Sequence, residues 1–148
     1  MKLNKLFLWM VASILALEAK AVDRDDIFVI GSIQSGPEDW KSFEASGSVG
    51  YGVMDSLGLG FRVSQNSWGV TPILKTAAEL RWFLEPFELA GWTGVRWQDS
   101  GEEAIFGVQS AYLWALTTSL ALRAEVSAEL SFKGSSLLFL GFGGRLLF

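Results

Sequence analysis

The sequence predicts an all-β fold: a closed eight-stranded antiparallel up-and-down transmembrane β-barrel, preceded by a cleavable signal peptide. Three observations predict it. Apolar residues recur at every second position along most of the chain, charged residues keep to the alternate positions, and the N-terminus carries a short apolar run that ends in small residues.

The leader comes first. Lys2 and Lys5 form a positive start, Leu6 to Leu17 run without a charge, and Ala19-Lys20-Ala21 supplies a small-x-small cleavage pattern. Twelve residues would reach only about 18 Å as a helix, short of a hydrocarbon core of about 30 Å. The expected division is therefore 1–21 as signal peptide and 22–148 as one barrel domain. Loss of the leader leaves nine basic and fifteen acidic residues, moving the formal net charge from −4 to −6. No later apolar run is long enough for a membrane-spanning helix, so any crossing must be made by strands.

The strands follow from a period of two, because successive side chains on a strand point to opposite faces. A first strand is expected at about Asp26 to Gln34, although Ile27, Phe28, Val29 and Ile30 run together there. Phe43, Ala45, Gly47, Val49, Tyr51 and Val53 share one face of the second. After a turn at Asp55-Ser56, Leu57, Leu59, Phe61 and Val63 share a face of the third. Leu74, Ala78, Leu80, Trp82 and Leu84 mark the fourth, and Glu85-Pro86 turns the chain, since proline fixes φ and donates no ladder bond. Phe87, Leu89, Val95 and Trp97 mark the fifth; Phe106, Val108, Tyr112 and Trp114 the sixth. A turn near Thr117-Thr118 leads to Leu120, Leu122, Ala124, Val126 and Leu130, and the last strand carries Leu138, Leu140, Phe142, Leu146 and Phe148.

Glu44, Arg62, Lys75, Glu79, Arg81, Glu88, Arg96, Arg123, Glu125, Glu129 and Arg145 all fall on the opposite, weaker face. Eleven charges on six strands decide the orientation. An interior bearing them cannot be an oily ligand cavity. The reverse arrangement would load a small eight-stranded interior with Phe43, Tyr51, Phe61, Trp82, Phe87, Trp97, Phe106, Tyr112, Trp114, Phe142 and Phe148, which is too bulky for it. Turned to lipid, those residues fit, and a closed barrel gives every backbone group an internal partner. Tyr51, Trp82, Tyr112 and Trp114 gather toward the short-turn end and Trp68 and Trp97 toward the other, the two aromatic girdles of a membrane barrel. The remaining connections, Ser35 to Lys41, Gln65 to Thr71, Asp99 to Glu103 and Phe132 to Ser136, are expected as longer external loops.

Leu140, Phe142, Leu146 and the terminal Phe148 carry a resemblance to the small eight-stranded bacterial outer-membrane β-barrel family, which includes the membrane domain of outer membrane protein A. Gly144 departs from that family's closing-strand pattern, where a larger apolar residue is usual. The resemblance implies the bacterial outer membrane as location and outer-membrane lipid as surroundings. It also implies periplasmic chaperones and barrel-assembly machinery as partners during biogenesis, with Phe142, Leu146 and Phe148 as the assembly signal.

The chain has neither histidine nor cysteine, which removes the commonest general base and metal ligand together with disulfide and thiolate chemistry. Barrel enzymes that move acyl chains, and barrel proteases, resemble one another in using histidine, so their mechanisms do not transfer. No catalytic, cofactor or metal residues are expected. Glu125 and Glu129 share a face but have arginines nearby; Glu102-Glu103 is expected as a solvated loop pair, and Asp23, Asp25 and Asp26 as a mobile polar lead-in. The acidic balance gives no reason to expect nucleic acid. Gly141-Phe142-Gly143-Gly144 lacks the lysine and the strand-to-helix setting of a phosphate loop; strand glycines are expected to relieve crowding inside the barrel. The expected function is a non-enzymatic structural or surface protein, monomeric, with its interior plugged by an ion-pair network. A narrow channel for ions or small apolar molecules, and a secreted lipocalin-like binder, are the alternatives.

Overall fold

The computed structural model describes residues 22–36, 39–66, 73–134 and 136–148, with 39–42 described by backbone alone. Eight strands follow in chain order: β1 (Ile27–Gly36), β2 (Asp39–Met54), β3 (Leu57–Asn66), β4 (Ile73–Leu84), β5 (Phe87–Gln98), β6 (Gly101–Ala115), β7 (Leu120–Ser131) and β8 (Ser136–Leu147). Each pairs antiparallel with the next, and β1 pairs with β8, closing the barrel. The seam is zipped to the last residue. Ile27 donates its N–H to the Phe148 carbonyl at 3.0 Å, and Phe148 donates back to Ile27 at 2.9 Å.

The strands differ from expectation mainly at one end. β1 begins one residue later than Asp26 and runs two residues past Gln34, and β2 starts at Asp39, so only residues 37–38 separate them. β6 starts at Gly101, and the expected loop from Asp99 to Glu103 is a turn of Asp99 and Ser100. Gly101 enters the strand at φ 117°, a conformation that penalises a Cβ. Among the described residues, the loop end is therefore marked by the extended β1–β2 and β5–β6 hairpins; most of the expected loop from Gln65 to Thr71 lies outside them. At the other end, the Thr117 hydroxyl accepts bonds from the N–H groups of Ser119 and Leu120, closing that turn locally.

Burial alternates residue by residue, and the apolar run of β1 has a simple resolution. Ile27, Val29 and Ile33 face outward, whereas Phe28 and Ile30 are buried with Val22, Phe83 and Leu147 inside the turn end. Leu113, Ala115 and Ala121 line the same end. The expected lead-in is held: Val22 accepts a bond from Ser56 N–H at 2.8 Å, and Asp25 donates to the Gly52 carbonyl at 2.9 Å. That segment closes the turn end of the barrel from beneath.

Inward glycines make room for inward rings. A Cβ on Gly107 would lie 2.2 Å from two carbons of the Trp92 indole. Gly107→Ala should therefore cost about 1–3 kcal/mol by overpacking. The check is urea unfolding of Gly107→Ala alone and in a Trp92→Leu background, where most of the loss should disappear.

Candidate functional site: the charged barrel interior

All eleven charges expected inside are buried, because the two-residue period carries them inward on β2, β3, β4, β5, β7 and β8. Glu103 joins them. Expected as a solvated loop residue, it continues the inward phase of Ile105 and Gly107 on the extended β6 and is only 6% exposed. Among the described residues, six buried acidic side chains then stand against six buried basic ones. That equality matters because ions removed from water need partners.

The charges form two clusters at different heights. Toward the turn end, Glu88 sits between three arginines: it pairs with Arg81, with Arg123 at 2.8 Å, and with Arg145 at 3.7 Å. Arg81 also grips Glu79, its Nη2 lying 3.0 and 2.9 Å from the two carboxylate oxygens. Arg123 lies 3.3 Å from Glu125, and Arg145 extends to Glu85 at 3.8 Å. The arginines also lie over apolar rings: Arg145 is 5.3 Å from the centre of Phe83.

Toward the loop end, Lys75 bridges Glu44 at 2.5 Å and Glu129 at 3.1 Å. Arg96 pairs with Glu129 and with Glu103 at 3.0 Å, and Ser131 donates to Glu103. Gln34, which sequence reasoning passed over, donates to Glu44 at 2.9 Å and accepts from Ser127 at 3.1 Å. Arg62 lies between the clusters, donating to Gln109 at 3.1 Å and Ser46 at 3.2 Å, with its guanidinium 4.6 Å from the Trp92 ring centre. A void of about 10 Å³ beside Arg62, Lys75, Trp92 and Glu129 is barely the room of one water.

Glu125 and Glu129, which share a face of β7, belong to different clusters and face different cations. What the arrangement does is mechanical. Glu88 on β5 ties itself to β7 and β8, and Glu129 on β7 to β4, across the interior between strands that are not ladder neighbours. Among the described residues no group of three or more carboxylate, histidine or cysteine side chains is placed to hold a metal ion.

The outer wall is the inverse. Tyr51, Trp82, Phe87 and Trp97 are exposed, and Phe87, Tyr112 and Trp114 stack edge-on at 5.4 and 4.9 Å near the turn end. Trp97 lies toward the loop end, its indole N–H donating to Thr76 at 3.2 Å. Trp68 falls outside the described residues. Phe142 on β8 and Phe148 just past its end are 73% and 71% exposed, with Leu146 on the same face.

No protein-family model matches the chain, and no curated protein matches it. Among solved structures it is similar to the N-terminal β-barrel domain of OprF from Pseudomonas aeruginosa, at 12% identity over 84% of this chain and 98% of that one, with a TM-score of 0.64. A de novo designed transmembrane β-barrel matches at 15% identity over 86% and 99%, TM-score 0.60. Neisserial surface protein A matches at 15% identity over 83% and 95%, TM-score 0.57. At such identities the likeness concerns the fold: an eight-stranded closed antiparallel barrel of the kind found in outer-membrane proteins.

Proposed function

We propose that the chain is a non-enzymatic integral protein of the bacterial outer membrane with a structural or surface role, its leader 1–21 removed on export. The observation that carries this reading is the inverted distribution of side chains. Paired ions fill the inside of the barrel, while Val49, Phe61, Leu122, Val126 and Phe142 stand 47–73% exposed on its wall. In water such a wall would be an aggregation hazard; against hydrocarbon it is the favourable surface. Outer-membrane lipid is then its surroundings. The outward row Phe142, Leu146 and Phe148, at the seam where β8 meets β1, serves as the signal read by barrel-assembly machinery, with periplasmic chaperones acting before it.

A lipocalin-like binder would need an apolar cavity where this interior holds ion pairs. Heat-modifiable gel migration together with outer-membrane fractionation tests the membrane reading; a form soluble without detergent would overturn it. The interior ion pairs, together with the apolar closure at Val22, Phe28 and Phe83, also oppose conduction. Planar bilayers holding the purified protein should therefore show no steady unitary currents at neutral pH, and steady currents would replace the plug with a channel.

A further inference from the structure

The wall of the barrel is not uniformly convex. A groove of about 660 Å³ crosses it, bounded by Phe87, Tyr112, Phe142, Ile33 and Phe43, with Ala124 among the residues along it. These residues are neighbours in the ladder: Phe87 faces Tyr112, Tyr112 faces Ala124, Ala124 faces Phe142, and Phe142 faces Ile33. The groove therefore runs across the strands from β5, near the turn end, to β2.

We propose that this groove binds one acyl chain of a phospholipid, an inference that rests on the membrane reading above. Five strand-to-strand steps give it a length of about 24 Å. Spread over that length, its volume corresponds to a cross-section on the order of 25 Å², room for a single hydrocarbon chain abreast. The rim is rings and branched chains while Ala124 is a single methyl, so a chain lying there meets side chains on both flanks. Dispersion contacts of that kind distinguish an ordered chain from the lipid that wets any apolar wall. Among the described residues no lysine or arginine lines the groove, and the charged residue that does, Glu125, is turned inward and 4% exposed. A lipid with several headgroup phosphates would call for basic side chains that this groove lacks. At the turn end, the stacked Tyr112 and Trp114 sit where a phospholipid's ester region would meet amphipathic rings.

The test uses the protein reconstituted in vesicles of palmitoyl-oleoyl phosphatidylethanolamine, extracted into mild detergent and weighed by native mass spectrometry. The wild type should retain one phospholipid. Ala124→Trp, which fills the groove, should lower that occupancy at least about tenfold, while Ala78→Trp on the β4 wall should leave it unchanged. Ser110→Phe is a second filling variant should Ala124→Trp lose its heat-modifiable fold. A folded wild type without retained phospholipid, or equal retention in the filled and unfilled forms, overturns the groove assignment and leaves the membrane reading intact. A dimer mass abolished by Ala124→Trp would likewise overturn it, giving the groove to a second copy. A wild type that never becomes heat-modifiable in vesicles removes the membrane reading itself.

Discussion

Glu88→Gln should destabilise the barrel by about 3–5 kcal/mol, the largest loss expected from any single interior change. The carboxylate is 1% exposed and is the shared anion of Arg81, Arg123 and Arg145. An amide of the same size preserves the packing and removes the charge, so the cost isolates electrostatics from cavity formation. Three cations would remain enclosed around a neutral group, with Glu79, Glu125 and the more distant Glu85 left to serve them. The measurement is the urea midpoint of the folded protein in vesicles, read by tryptophan fluorescence. Glu102→Gln, one residue from an interior carboxylate but itself exposed, should stay within about 0.5 kcal/mol. Glu88→Gln combined with Arg123→Gln should lose less than the two single changes together, because the second removes a cation stranded by the first. An unshifted midpoint for Glu88→Gln would show that the ion pairs are not what holds the interior together.

The same site shows which part of the molecule was legible in the sequence. Facing was legible, because a strand commits every second side chain to one side, and a buried charge out of phase would be unaffordable. Partners were not. Arg123 lies on β7 and Arg145 on β8, and both reach Glu88 on β5 across the interior. The tilt and stagger of the closed ladder decide such encounters, and a one-dimensional pattern does not carry them. Glu103 was missed for a related reason: polarity and the neighbouring Asp99, Ser100 and Gly101 marked a loop, yet its phase relative to Ile105 already pointed inward. In β1 the apolar run left the facing undecided. Phe28 and Ile30 are apolar on the inward face because the turn end is closed by hydrocarbon, and hydropathy alone cannot tell an apolar residue facing in from one facing out.

Val126→Arg should block or weaken stable insertion by about 2–4 kcal/mol, the cost of a cation at the middle of a barrel's lipid-facing wall. Val126 is 47% exposed, the seventh of the twelve residues of β7, and its neighbours across the ladder, Ser110 and Leu140, offer no counter-charge. Leu122→Arg, four residues nearer the turn end, should cost less, because the penalty declines toward the interface and the guanidinium can extend to the headgroups. The gradient is the discriminating feature. An ordinary packing defect would give no such ordering with depth, and a water-facing wall would tolerate both arginines with changes near zero. Equal folding yields for wild type, Leu122→Arg and Val126→Arg, measured by heat-modifiable migration from the same vesicles, would place this wall in water and return the ion pairs to the role of a soluble barrel's core.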